Sequence, residues 1–173
     1  MEERGQQMDK DKSGTNPWKD TSGASGGNTS DSSAGNTISQ GCLTHSTVGE
    51  YTSTNRHKSG GHGQDSLDYM DDNGIDYEIN IEYNNGVRVG NIPNSKQTYA
   101  RTGNNHTWFP KDWSEQDIEN AGKQVADSFT GTKGNGVTHS EIVNGVNVTI
   151  MFNSSGEVAT IYPSKDQPGG IKE

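Results

Sequence analysis

Cysteine is almost absent from this chain. Cys42 stands alone, so no intrachain disulfide can form and the small disulfide-framed scaffolds are excluded. Leucine is nearly as scarce, with Leu43 and Leu67 its only instances. The remaining aliphatic residues are mainly Ile and Val, whose branched Cβ fits a pleated sheet and loses rotamer freedom in a helix, so a domain built largely on strands is expected. No apolar run approaches the roughly 20 residues of a membrane-spanning helix, and the N-terminus lacks the apolar segment of a signal peptide. If the protein is exported, this chain is expected to be a piece cut from something larger. Positive charge is also in short supply. Lys and Arg number 14 against 23 Asp and Glu, a net charge of -9, which argues against a protein that coats nucleic acid with a broad basic surface. A confined site needs only local cations, for which Lys96, Arg101 and Lys111 are candidates.

The hydrophobic fraction is 25% of 173 residues, and the shortage is concentrated at one end. Residues 1–40 are almost wholly Gly, Ser, Thr, Asn, Asp, Lys, Glu and Gln, with Met1, Met8, Trp18 and Ile38 as the only sizeable apolar side chains. So little apolar surface does not offset the entropy of ordering a backbone, and this stretch reads as a flexible polar linker. Residues 41–173 then form one domain of ordinary size.

Within it, residues 41–64 read as short helix or loop. Residues 75–83 alternate apolar and polar at period two, the pattern of a half-buried strand, and Asn84-Asn85-Gly86 turns it into a hairpin with Val87-Arg88-Val89. Residues 97–109 read as strand and loop up to Pro110. A helix follows, with Ser114 three residues ahead of Asp117, an apolar face on Ile118, Ala121, Val125 and Phe129, and an end at Gly131. The last third reads as an antiparallel meander, with Ile142-Val143, Val146–Phe152 and Val158–Tyr162 separated by Asn144-Gly145 and the turn at 153–156. Residues 164–173 are polar and expected to fray. These elements make a domain of mainly antiparallel strands with few helices.

The residues best suited to chemistry are His45, in Thr44-His-Ser-Thr-Val-Gly49-Glu50, and His62, in Ser59-Gly-Gly-His-Gly63. An unperturbed imidazole titrates near about 6.5, so one member of a histidine pair can hold a proton while the other lacks it. Metal-free scission of RNA needs that division of labour: a base takes the proton of the ribose 2′-OH as it attacks phosphorus, and an acid protonates the departing 5′-oxygen. Gly60 and Gly61, having no Cβ, permit positive φ or close approach to a phosphate. His57 is an alternative partner for His62, while His106 and His139, and His57 too if it is not the partner, read as solvated histidines. Cys42 near His45 suggests a thiol nucleophile only weakly, because no orienting group or oxyanion device accompanies it. The acidic residues 65, 68, 71, 72 and 76 do not fit a calcium loop: with Gly74 at its sixth position, Tyr69 and Asn80 would occupy carboxylate positions. Trp108, Phe109 and Trp113 read as anchors of the following helix rather than a base-stacking platform.

His45-x-x-x-Gly49-Glu50, Gly60-Gly61-His62, the segment Trp108-Phe109-Pro110-Lys111-Asp112-Trp113-Ser114 opening a helix, and Thr160-Ile161-Tyr162-Pro163 together resemble the bacterial EndoU ribonuclease domain over about residues 41–164. The resemblance implies an EndoU-like α+β fold and an active site of His45, His62 and a lysine, assigned to Lys96, with Thr160 and Tyr162 binding the nucleotide. It implies no cofactor and no metal, and a 2′,3′-cyclic phosphate product. Such domains occur as C-terminal toxin modules of contact-dependent growth inhibition and related systems. A cognate immunity protein, a transfer RNA substrate cut at the anticodon loop, and display at the cell surface or secretion within a larger protein are implied on that footing, with action in the cytoplasm of target bacteria. The free domain is expected to be monomeric. A non-enzymatic, β-rich binding module of a large surface protein and a metal-dependent nuclease of another fold are the competing readings.

Overall fold

A computed structural model describes residues 36–173. The expected linker lies outside the described residues except for its last few positions, and those are packed. Asn36 donates through its backbone and side-chain nitrogens to Asp127 Oδ1 at 2.8 and 2.9 Å, and Ile38 joins the main hydrophobic core. Ser39 then caps helix α1 (Gln40–Thr47) by accepting the Cys42 N–H at 3.0 Å.

After α1 come two short antiparallel strands, β1 (Glu50–Tyr51) and β2 (His57–Ser59), and helix α2 (Gln64–Asp72). The acidic run lies mostly on α2, whose inner face buries Ser66, Leu67 and Met70. A second sheet, in the order β3-β4-β5, joins β3 (Glu78–Glu82), β4 (Arg88–Asn91) and β5 (His106–Trp108). The turn at 84–86 forms as expected, with Gly86 N–H donating to Tyr83 O at 2.8 Å. The strand before it starts later than alternation suggests, because Ile75 and Tyr77 are drawn into a small core with Leu67, Met70, Ile92 and Trp108. A bulge between Ile79 and Ile81 breaks the register there and leaves Ile79 exposed. Residues 97–109 also differ from an all-extended reading, since helix α3 (Thr98–Arg101) precedes β5.

Helix α4 (Glu115–Ser128) begins with a full capping box between Ser114 and Asp117. It buries Ile118, Ala121, Gly122, Val125 and Ala126 and ends at Phe129, two residues before Gly131. That face lies on the third sheet, the meander of β6 (Thr138–Val143), β7 (Val146–Phe152) and β8 (Val158–Pro163). The fit is close at Gly122, where an added Cβ would strike the side chain of Ile161 on β8. The expected α+β class with antiparallel sheets is the one observed.

The C-terminal segment does not fray. Asn84 N–H donates to Gly170 O and Lys172 N–H to Glu82 O, extending the free edge of β3, while the Gln167 side chain accepts from Asn147 N–H and donates to Asn147 O. Its polar composition masks a segment held both by backbone groups and by the Gln167 side chain. Deleting residues 165–173 should therefore lower the unfolding free energy by about 2–4 kcal/mol, the sum of several modest hydrogen bonds. Urea denaturation reads this directly; a loose tail would change it by less than about 0.5 kcal/mol.

Candidate active site

Helix α1 ends with three carbonyl groups, those of His45, Ser46 and Thr47, beyond the reach of its own amides. The amides of Gly61, His62 and Gly63 donate to them in order, at 2.8, 2.6 and 3.0 Å. This pairing puts the two sequence-predicted histidines side by side, one on the last turn of α1 and the other in the strand-like segment that seals it. Glycine is required in the approach. Gly60 and Gly61 take φ of 70° and 81°, and a Cβ at Gly60 would strike the His45 carbonyl and lie 2.9 Å from His45 Cε1.

His62 is 6% exposed. Its Nδ1 lies 2.8 Å from the Thr107 carbonyl, which can only accept, so Nδ1 carries a proton and Nε2 is the nitrogen with a free lone pair. Nε2 has no hydrogen-bond partner among the described residues. The main chain of His62 is gripped as well, its carbonyl accepting the Phe109 N–H at 2.7 Å. Burial pushes the His62 pKa down to about 3, against the opposing help of the Thr107 bond. At neutral pH it is a neutral ring of fixed tautomer.

His45 is in a different setting. About a quarter of its side chain is exposed, and Nδ1 lies 3.0 Å from Glu50 Oε2. The His45 hydrogen bond, more than any other influence, holds the Glu50 carboxyl below the usual carboxylate range, so the acceptor is an ionised carboxylate that favours an N–H at Nδ1. Ser59 Oγ donates to the other Glu50 oxygen at 3.2 Å and fixes the carboxylate.

Thr160 and Tyr162 alternate along β8 with Ile161, whose side chain faces α4, so they share the opposite face of the strand. That face meets His62, with ring centroids of His62 and Tyr162 5.5 Å apart. Thr160 is buried and its hydroxyl has no partner among the described residues. Between the two, Ile161 N–H donates to Ser46 Oγ at 2.9 Å, so α1 fixes β8 as well as the His62 segment. Lys96 lies exposed on the loop before α3, and its backbone N–H donates to the His57 carbonyl at 2.9 Å.

The solvated setting expected for His57 and His106 is not what the structure has. Both are fully buried. His57 bonds Ser95 Oγ through Nδ1 at 2.6 Å and Gly60 O through Nε2 at 2.9 Å. His106, expected to be solvated, stacks under His62 with centroids 4.6 Å apart and planes within 10°, and donates from Nε2 to Gly61 O at 2.8 Å. The signal available for it was the alternation His106-Thr-Trp108 before Phe109-Pro110, which marks a strand with His106 and the core residue Trp108 on one face. Of the three, only His139 is partly exposed, between Ser128 and Glu141 at 3.0 Å from each. Trp108 and Phe109 are core residues, and Trp113 stacks on Phe109 at 5.1 Å. Cys42 is buried, and burial pushes its thiol up to about 11, so a thiolate is not available at neutral pH. Among the described residues no group of three or more His, Cys, Asp or Glu side chains converges as metal ligands would, and no helix is long and apolar enough to cross a membrane.

The α+β domain thus joins two histidines at a helix end, one buried and neutral and one paired with a carboxylate, beside a Thr-x-Tyr strand. The chain belongs to the bacterial EndoU nuclease family, whose profile matches residues 39–165. No curated protein and no solved structure matches the chain significantly.

Two consequences can be measured. Ser46→Ala keeps the carbonyl that holds His62 but strips the buried Ile161 N–H of its acceptor, and should cost about 1–3 kcal/mol in denaturant unfolding. The second concerns pH. Burial lowers the pKa of His57, His62 and His106, whereas in the unfolded chain each titrates near about 6.5. Below that value the unfolded state binds protons that the folded state refuses, so stability is lost as pH falls. Each such histidine contributes up to about 1.4 kcal/mol per pH unit. Between pH 6.5 and 5, above the carboxylate range, the slope of stability against pH should exceed that of a single group, and His106→Phe should reduce it by about one proton.

Proposed function

We propose that this domain is a metal-independent endoribonuclease that cleaves by transesterification, with His62 as general base and His45 as general acid. The observation that supports this division most directly is the His62 hydrogen bond to Thr107 O, which dedicates Nδ1 to the main chain and leaves a neutral Nε2 to take the 2′-OH proton. His45, with Nδ1–H on the Glu50 carboxylate, delivers its second proton from Nε2 to the leaving 5′-oxygen. Lys96 supplies positive charge to the crowded phosphorane. Thr160, with its unpartnered hydroxyl, and Tyr162, with a ring beside His62, hold the nucleotide. The bond from 2′-oxygen to phosphorus forms as the bond to the 5′-oxygen breaks, so the products are a 2′,3′-cyclic phosphate and a 5′-hydroxyl. DNA has no 2′-OH and is not a substrate.

The biological setting belongs to the same proposal. The domain acts as a toxin of contact-dependent growth inhibition, carried by a larger secreted or surface-displayed protein and active in the cytoplasm of target bacteria. A cognate immunity protein neutralises it in the producer. Its substrate is transfer RNA at the anticodon loop, where unpaired nucleotides let the 2′-OH swing into line. The resemblance of its motifs to such toxin modules supports this setting.

Purified protein incubated with total RNA in EDTA should give discrete fragments ending in 2′,3′-cyclic phosphate, enriched in transfer RNA. His45→Ala and His62→Ala should each lower the rate by about 10²- to 10⁴-fold with the fold retained. Uncut RNA at high protein concentration would favour the binding-module reading, and cutting of DNA that EDTA abolishes would favour a metal-dependent nuclease.

A further inference from the structure

His57 has no part in the proposed chemistry, yet its ring is buried and both of its nitrogens are engaged. Gly60 O can only accept, so His57 Nε2 bears the proton, and Nδ1 must then accept from the Ser95 hydroxyl at 2.6 Å. Ser95 Oγ in turn accepts the Gln97 N–H at 2.9 Å, and the His57 carbonyl accepts the Lys96 N–H at 2.9 Å. One neutral residue is thereby bonded on one side to the turn against which His45 rests and on the other to Ser95 and to the main chain of Lys96, with Gln97 tied in through Ser95 Oγ. Arg56 reinforces the same loop, donating from Nε to Asn94 O at 2.7 Å and from Nη2 to Ser95 O at 3.3 Å. Residues 94–97 are otherwise a surface loop, with Pro93, Asn94 and Lys96 exposed, while Ser95 alone is fully buried among them. A long lysine side chain on such a loop has many places to go. The Ser95–His57 joint gives its backbone one origin, set by the same ring that sets Gly60.

We propose that His57 and Ser95 are positioning residues that fix the Lys96 loop relative to the histidine turn, so that the ammonium group reaches the phosphate held between His45 and His62. The inference rests on the assignment of Lys96 to the phosphorane.

Ser95→Ala removes one hydroxyl and leaves every catalytic side chain in place. It should lower kcat roughly 10- to 100-fold, the range expected when a catalytic group is misplaced by about 1 Å, with KM for a short RNA little changed. In a Lys96→Ala background the same substitution should change kcat by less than about twofold, because the group being positioned is gone. A merely structural role would give the same loss in both backgrounds, and that result would overturn the positioning while leaving Lys96 catalytic. A fully active Lys96→Ala protein would overturn the lysine assignment and the positioning with it, without touching the two histidines. If Ser95→Ala does not fold, Arg56→Met cuts two bonds to the same loop from a partly exposed site and supports the same comparison.

Discussion

The structure turns on the unpaired end of helix α1. Any helix leaves its last carbonyls without amide partners, and in water they are hydrated. Here those of His45, Ser46 and Thr47 are closed by consecutive amides from residues 61–63, so the helix end and the Gly-Gly-His-Gly segment are one hydrogen-bonded unit. Neither part could be displaced without leaving buried polar groups unsatisfied, which costs more than an ordinary hydrogen bond gains. The negative end of the helix dipole also faces this segment, and it favours the donors that Gly61, His62 and Gly63 supply. Ser46 widens the unit to a third element, since its carbonyl accepts from His62 while its hydroxyl accepts from Ile161 between Thr160 and Tyr162. One residue thus fixes the distance between a histidine and the strand proposed to hold the substrate.

From that joint the two hydrophobic cores take up separate tasks. The larger one clamps α4 and α1 on the β6-β7-β8 sheet and fixes the back of β8. The smaller one, with Leu67, Met70, Ile92 and Trp108, lies next to the histidines: the His106 ring stacks on His62 and is tilted against Trp108, and Tyr51 meets His57 edge-on at 5.7 Å. Placing imidazoles against an apolar core rather than in water is what holds them neutral, since desolvation opposes the charged form. Each retains a carbonyl acceptor for its one proton, Thr107 for His62, Gly61 for His106 and Gly60 for His57, so burial is achieved without an unpaired N–H.

Much of the scaffold could be read from the sequence because its signals are local. The meander of residues 138–163 has alternating β-branched residues broken by Asn-Gly and Asn-Ser-Ser-Gly, and α4 has a capping box followed by a regular apolar face. The tail at 165–173 was opaque because backbone bonds and one glutamine side chain, Gln167, hold it, and composition carries no record of either arrangement. The same limit applies to the histidines. His45 and His62 were picked out by the glycines around them, and those glycines serve the close packing of the two segments. The local mark on His106, its alternation with Trp108, puts the two on one face of a strand but does not say that the face is buried. Its burial follows from β5 pairing with β4, a contact fixed by the Arg88–Trp108 and Gly90–His106 register and not by anything adjacent in the chain. Ile38 is the reverse case: an apolar residue in a polar stretch, too isolated for any periodicity, that belongs to the core because Ser39 starts a helix directly after it.

The division among the histidines also bears on how so acidic a protein can bind RNA. A net charge of -9 opposes approach of a polyanion at long range, and screening reduces that opposition to about 8–10 Å at ordinary salt. Within that distance the local charges decide. Were all four histidines of residues 45–106 protonated, the site would attract phosphate but would hold no base. Burial prevents this for His57, His62 and His106, while His45, about a quarter exposed, stands beside the Glu50 carboxylate. An imidazole that must accept a proton belongs where its charged form is disfavoured until the reaction supplies a neighbouring negative charge, and one that must donate belongs where its charged form is at ease. The fold separates the two histidines by a single helical terminus, with His45 on its outer turn and His62 sealed against its carbonyl end, and in the proposed reaction these are the donor and the acceptor.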